Sequence, residues 1–473
     1  MYICFAQSCN IKLTSECNHI GWVTIDILPD DVLLDIFDFL VVEVENRWCT
    51  LVHVCRRWRN VIFGSPHRLN LQLICSDKTP VREMLDVWPP LPIVIRHSSR
   101  SNSGWDNVIA ALGRNDRVCK IKLELDQQWE NALEVMQEPF PALTDLTLHS
   151  DIEIASVVPD SFMGGSAPRL QYLMLNRVSI PGLPKLLSSA TDLVLLKLRH
   201  IPHSGYISPE AIVTCLSMSP RLEKLYLGFD SPLSRPNGES RCLPPATPTV
   251  LPALIKLHFT GASEYLGDLV ARIDSPLLDN LEIVLFHQLT FDIPHLAQFI
   301  SRTPTLQVSD QACMGFSDSE VRVTFLKTPS SYHLTLKILC EEPEQQLSSV
   351  AQIFTSFFPR SLFHRVERLN IREKGYSKLE WKEEIEDRQW LEVLHPFTSV
   401  KSLRLSKQFA PRVVPPLQGL VGGRTTEVLP ALEKLSLDLH PSGSFKKTIK
   451  KFVAARQLSN CPVVVHREKR QVV

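Results

Sequence analysis

Two different spacings of apolar residues divide the chain. In LPDDVLLDIFDFL, residues Val32, Leu33, Ile36, Phe37 and Leu40 recur at offsets of one, four, five and eight, the signature of one helical stripe. Pro29 suits a first helical turn, and Asp30 and Asp31 suit the positive end of the helix dipole. Trp48, Leu51, Val52, Cys55, Trp58 and Ile62 repeat the helical spacing, with Arg56, Arg57 and Arg59 mostly on the other side. Gly64, Ser65 and Pro66 end that pattern. Two or three short helices within about 40 residues bury little apolar area alone and need a neighbour or a partner.

Beyond about residue 90 the pattern becomes apolar, two variable, apolar, one variable, apolar. It reads Val118/Ile121/Leu123, Leu143/Leu146/Leu148, Leu170/Leu173/Leu175, Leu193/Leu196/Leu198, Leu222/Leu225/Leu227, Leu254/Leu257/Phe259 and Leu278/Leu281/Ile283. It returns as Val366/Leu369/Ile371, Val400/Leu403/Leu405 and Leu432/Leu435/Leu437. From Val118 to Leu278 the steps are 25, 27, 23, 29, 32 and 24 residues. That phrase at that period is the mark of a leucine-rich repeat. Helical segments fall between phrases: SPEAIVTCL, with Ser208 as N-cap and Pro209 in the first turn, then SEYLGDLVARI, PHLAQFISR and GSFKKTIKKFVAARQL. The fold class expected is α/β: a short helical N-terminal unit followed by an irregular solenoid, a curved parallel sheet with outer helices.

The rhythm fails between Leu306 and Leu362, where VRVTFL and YHLTLKIL read as strands without the full phrase. Ser231–Val250 holds five prolines and no apolar period, and is expected to be a mobile loop. Residues 406–430 are expected to carry one short helix around Leu417.

The chain has 473 residues, 51 Lys plus Arg against 51 Asp plus Glu, and a globular 44% apolar content. Balanced charge gives no reason to expect nucleic acid or an anionic membrane as partner. The 12 cysteines have no regular spacing, MYICFAQSCNIKLTSEC lacks a secretory pattern, and no apolar run reaches the roughly 18 residues of a membrane span. These features predict an intracellular protein, cytoplasmic or nuclear, with reduced thiols. The basic tail HREKRQVV reads as a solvated end, with nuclear import as the alternative.

Sequence motifs for catalysis are missing: no phosphate loop, no dinucleotide fingerprint and no H-E-x-x-H occurs, and MGGSAP reads as a turn. Cys4, Cys9, Cys17 and His19 lack zinc-ligand spacing, and Pro202 between His200 and His203 places those two in a turn. No metal, cofactor or enzymatic activity is expected.

LPDDVLLDIFDFL followed by LVHVCRRWRNVIFGSPHRLNLQL resembles an F-box, which opens on Leu-Pro and closes on Val-Cys-Arg/Lys-x-Trp. An F-box followed by irregular leucine-rich repeats looks like the expanded F-box families of mushroom-forming (basidiomycete) fungi. The resemblance implies docking on the Skp-type adaptor of a cullin-based ubiquitin ligase, with the repeats presenting a target protein. Carried over by position, the docking residues are Leu28, Pro29, Val32, Leu33, Ile36, Leu40, Leu51, Val54, Cys55 and Trp58. The span from Pro29 to Cys55 exceeds the compact family form, so VVEVENRWCT is expected to lengthen the loop between the first two helices. The alternatives are helices that only cap the solenoid, and a repeat scaffold that recruits no ligase. The expected organisation is an N-terminal tail over 1–23, the F-box over 24–70, a linker and cap over 71–116, repeats over 117–465 and a basic tail over 466–473.

Side chains alternate across a strand, so the second, fourth and sixth residues after each opening apolar one should line the open face of the sheet. Across the ten phrases these positions hold ten Lys or Arg and four acids, a basic bias in a neutral chain. An ordinary solvated surface would look much the same. The sharper expectation is a target site at Tyr172, Lys197, Arg199, Lys224, Tyr226 and Lys256, accepting an acidic or phosphorylated segment.

Overall fold

The computed structural model describes residues 25–43, 47–76, 81–98, 105–126, 129–150, 156–231, 243–328, 331–374, 387–420, 424, 426–438 and 443–467. Two compact units emerge: Met1–Ile74 with Trp88–Pro92, and Cys75–Val87 with Ile93–Val473.

In the first unit a 3-10 turn, Ile25–Ile27, leads into α1 (Asp30–Glu43), α2 (Arg47–Leu51) and α3 (Arg56–Gly64). The Pro29 carbonyl accepts the first helical bond of α1, from Leu33 N–H. Of the stretch expected to lengthen the loop, residues 41–43 continue α1 and residues 47–50 belong to α2, while 44–46 lie outside the described residues. Leu33, Leu34, Phe37, Val52 and Ile62 form the core. Trp48 packs edge-on against Trp88, at 5.3 Å between ring centroids, and its indole N–H donates to the Gln72 carbonyl.

In the second unit the parallel strands β1 (Ile93–His97), β2 (Val118–Leu125), β3 (Asp145–Ser150), β4 (Tyr172–Asn176), β5 (Leu195–Ile201), β6 (Lys224–Phe229), β7 (Lys256–Gly261) and β8 (Asn280–Phe286) lie side by side in chain order. The leucines stack in register, Leu146 beside Leu173, Leu196, Leu225, Leu257 and Leu281. All ten apolar phrases coincide with strands or their entries, and none of their three anchors is more than 3% exposed. The residue after each opening leucine repeats one bond: Thr144 N–H donates to the Cys119 carbonyl, Gln171 to Thr144, Val194 to Gln171, Glu223 to Val194 and Ile255 to Glu223. This continuous backbone rail explains why the phrase holds its register while the intervening segments vary in length.

The lost rhythm has a topological cause. β9 (Gln311–Phe316), β10 (Glu320–Thr328) and β11 (Ser331–Leu339) form an antiparallel meander inserted in reverse spatial order. β11 pairs parallel with β8, setting Leu334 beside Leu281 and Leu336 beside Ile283, while β9 pairs parallel with β12 (Arg368–Glu373). Hairpin connections need only a short turn, so no helix separates these strands and no repeat-length spacing arises. The sheet continues through β13 (Ser402–Leu405), β14 (Lys434–Leu437) and β15 (Val464–Arg467). β15 takes in His466 and Arg467, which the sequence reading placed in the tail.

The expected helices form at Pro209–Leu216, Ser263–Arg272, Leu296–Arg302 and Gly443–Leu458, and Ser208 caps the first by accepting from Ala211 N–H. A helix at Ala410–Gly419 contains Leu417. Of the loop expected to be mobile, residues 232–242 lie outside the described residues, and Thr249–Val250 pairs with Ile273–Asp274. Among the described residues no helix is long and apolar enough to cross a membrane, and no His, Cys, Asp and Glu group is placed to hold a metal. Cys4, Cys9, Cys17 and His19 lie outside the described residues.

Candidate functional site

The helical unit shows what its sequence motif does. Cys55 is the N-cap of α3, and its sulfur accepts the Trp58 backbone N–H at 3.4 Å. A cap of that kind satisfies one of the orphan donors of the first helical turn. The three-residue spacing of Cys55 and Trp58 is therefore a capping spacing. It also delivers the Trp58 ring to Phe37 of α1, at 4.8 Å between centroids. Arg57, between them, reaches back to the other end of the motif. Its guanidinium donates to Asp30 Oδ1 at 2.7 and 3.1 Å and to the Leu28 carbonyl at 2.6 Å. The Leu-Pro entry of α1 and the start of α3 are thus held as one piece.

The predicted docking residues do not share one fate. Leu33 is 0% exposed and offers nothing to a partner; it is a core residue of its own unit. Leu28, Ile36, Leu40, Leu51, Cys55 and Trp58 are half-buried, and Pro29, Val32 and Val54 are exposed. The structure adds Phe39, 70% exposed, which the sequence reading passed over. Val32, Ile36, Phe39 and Leu40 follow one another at helical offsets of four, seven and eight, while Leu33, Leu34 and Phe37 point into the core. α1 is therefore apolar on two sides, one buried and the other only partly covered. Exposed Phe39 was legible as the odd residue of FDFL, but a stripe fitted to one face assigns no role to the other.

On the sheet, four of the six residues expected to bind a target, Lys197, Arg199, Tyr226 and Lys256, come together, while Lys224 and Tyr172 lie in the adjoining row. Tyr226 sits directly across from Lys197 on one side and His258 on the other. Lys197 Nζ, Arg199 Cζ and Lys256 Nζ lie 5.6, 5.7 and 5.4 Å from the Tyr226 ring centroid, within cation–π range. Lys224 pairs with Lys256 in the adjoining row. Tyr172, 41% exposed, shares that row across Leu195. Arg199 falls where the β5–β6 register slips between Leu198 and Ile201, and His200 beside it takes a left-handed φ of 48°. A slip of this kind re-aims side chains. Burial of the Lys197 ammonium, and then the charge of Arg199, hold Lys197 below the usual lysine range.

Most other charges on this face are paired. Lys120 meets Asp145 at 3.5 Å, Arg404 meets Asp438 at 3.0 Å and Lys337 meets Glu282 at 2.7 Å. Glu282 also binds His258 Nδ1 at 3.0 Å. That hydrogen bond, against burial and with help from Lys337, keeps its carboxyl well below the usual carboxylate range. Beside the cluster a pocket of about 250 Å³ opens between β2 and β5, with Lys122, His149, Met174, Asn176, Lys197 and Arg199 in its lining.

Comparison with known proteins bears on the helical unit. Residues 25–67 match the F-box-like family model. No curated protein sequence matches the chain. Among solved structures, the leucine-rich repeat-containing protein LegL7 from Legionella pneumophila is similar over 70% of this chain and 96% of that one, at 14% identity and a TM-score of 0.28. The fold assignment rests on the strand order and register described above.

Proposed function

We propose that this chain is the substrate-recognition subunit of a Skp–cullin–F-box type ubiquitin ligase. Its F-box-like domain docks a Skp-type adaptor and, through it, a cullin; its repeats bind a target protein. The observation that carries the reading is the second apolar side of α1, where Val32 and Phe39 are exposed and Ile36 and Leu40 half-buried, on a unit whose other side already fills its core. Exposed apolar surface on a small helical unit is what a partner helix requires. Leu28, Pro29, Leu51, Val54, Cys55 and Trp58 join that docking surface by the family resemblance, and Leu33 holds α1 from its buried side.

The role needs no catalytic residue of its own. The receptor raises the effective concentration of a target lysine near the conjugating enzyme, and chemistry belongs to other subunits. Cytoplasm and nucleus both suit this role. The domain order, F-box then irregular leucine-rich repeats, is the one seen in the expanded basidiomycete families that the sequence resembles. Affinity purification of the tagged full chain from its native cells should recover a Skp-type adaptor and a cullin together with the target. Recovery of repeat-bound proteins without either ligase subunit would replace this reading with that of a ligase-independent scaffold.

A further inference from the structure

We propose that the end of the solenoid at β15 docks an extended acidic segment of a partner protein, which adds a strand to the outer side of β15 and seats an apolar side chain against the helix Gly443–Leu458. The site stands whether or not the chain recruits a ligase. Three observations carry it. First, the apolar stack ends open. Leu369, Leu403, Leu435 and Val465 lie in register; the three leucines are at most 1% exposed, but Val465 is only half-buried. β15 is last in the sheet order, and among the described residues it pairs with β14 alone. Val464 N–H donates inward, to the Glu433 carbonyl. Backbone groups of successive strand residues face opposite edges, so those of Val465 face outward, where a further strand can bond them. Second, a pocket of about 360 Å³ opens beside that edge, with Ile449 and Val453 of the helix and Val463 and Val465 of the strand in its lining. A further coil of the solenoid would set its apolar anchor on this surface. Third, the surrounding charge has one sign. Residues 443–467 hold Lys446, Lys447, Lys450, Lys451, Arg456 and Arg467 and no Asp or Glu, in a chain of zero net charge. Lys446 and Lys450, exposed and one helical turn apart, are in the pocket lining, and among the described residues no carboxylate pairs with them.

An extended peptide uses all three features. Its backbone takes the free edge and one apolar side chain enters the pocket. Carboxylates two residues to either side, on the same face of the peptide, meet the lysines by charge-assisted hydrogen bonds. A second copy of this end would bring its own Lys446 and Lys450 against the first pair, and like charges in contact are costly. A single-stranded nucleic acid stacks its bases on aromatic side chains, and the phenylalanines of this helix, Phe445 and Phe452, are buried. Arg456 is engaged inside: its guanidinium donates to the Leu429 and Leu432 carbonyls at 3.1 and 3.2 Å, tying the helix to the preceding coil. The exposed lysines are therefore the cations that the helix offers to a partner.

The test uses the full chain and fluorescence anisotropy with a labelled peptide pool that fixes Glu, Leu and Glu at alternate central positions and randomises the rest. A pool with Lys in place of both Glu should bind at least about tenfold more weakly, as charge reversal beside fixed cations implies. Two further acidic pools carry backbone N-methyl groups on alternate residues, in one phase or the other. They keep every side chain and remove half of the backbone donors, so one phase should lose binding and the other keep it. Lys446→Glu/Lys450→Glu should lose the parent's affinity at an unchanged melting temperature, and Lys447→Glu/Lys451→Glu, outside the pocket, should lose far less. Absence of binding by the acidic pool, or equal binding of the acidic and basic pools, overturns the proposal. Full affinity of both N-methylated pools, or of the folded pocket variant, overturns it as well, and equal losses in the two lysine variants reduce the site to diffuse charge attraction and overturn it. Tighter binding of phosphatidylserine vesicles or of a single-stranded oligonucleotide than of the acidic pool overturns it by reassigning the end to that ligand. A dimer in sedimentation that the pocket variant abolishes overturns it in favour of a second copy.

Discussion

At the residue scale, neighbours one position apart on α1 do opposite jobs. Leu33→Ala removes a fully buried side chain and should destabilise the helical unit by about 2–5 kcal/mol, as core truncations do. Ile36→Ala/Phe39→Ala trims a half-buried and an exposed side chain and should lower the melting temperature far less than Leu33→Ala while weakening adaptor capture. Thermal denaturation and pull-down of both variants check this; a collapse of stability in the second, or adaptor capture intact in it, contradicts the two-sided helix. The thiols give a separate test. Burial pushes the Cys49 thiol up to about 11 and Cys75 up to about 12, and also raises Cys119, Cys215, Cys313 and Cys340. A raised pKa means less thiolate at pH 8, so iodoacetamide should label these positions slowly in the folded protein and rapidly in urea, followed by peptide mass mapping. Fast labelling of Cys75 in the native state would deny its burial. What sequence reading could see at this scale was residue type and spacing. Cys55 and Trp58 stood out, but their capping bond and the Arg57 tie to Asp30 and Leu28 need coordinates, because they join residues that spacing does not relate.

At the element scale, the leucine phrase was legible because the backbone rail and the strand anchors must recur together in every coil. The meander β9–β11 was not, because hairpins free it from the repeat length and its strands show only local alternation. YHLTLKIL nonetheless supplies Leu334, Leu336 and Ile338 at anchor positions, so the apolar stack crosses the insertion unbroken. The joint on that side is Glu282, which links β8 to Lys337 of β11 and to His258 of β7. Glu282→Gln keeps the shape and removes the charge, and should cost about 1.5–3 kcal/mol, the range for hydrogen bonds to charged groups. The pH dependence has a definite sign. The folded carboxyl is held below its unfolded value of 4.5, so its contribution is complete above that pH and declines as pH falls below it. Urea denaturation of parent and variant at pH 7 and pH 3 should show a gap that narrows at the lower pH; a constant gap would assign the effect to packing. Helix positions were readable where a cap announced them, as at Ser208, and β15 was hidden because VVVH carries no leucine phrase.

At the scale of the whole molecule, the two units carry different surfaces: one a partly exposed apolar helix side, the other a sheet face whose cationic cluster has no carboxylate partner among the described residues. The sequence reading named residues on both surfaces without resolving their exposure or pairing. A single helical stripe hid the distinction between Leu33 and Phe39, and counting charges along the face hid which of them were already paired. Balanced total charge conceals the cluster, since Lys120, Arg404 and Lys337 are matched locally and Lys197, Arg199 and Lys256 are not. Titration of a purified Skp-type adaptor into the full chain by calorimetry, with the parent and with Ile36→Ala/Phe39→Ala, tests the central claim most directly. The expected result is a one-to-one complex with the parent and a loss of about 2 kcal/mol or more in the variant, the scale of interface anchors. Absence of heat with the parent, or equal affinity of the two proteins, contradicts the account.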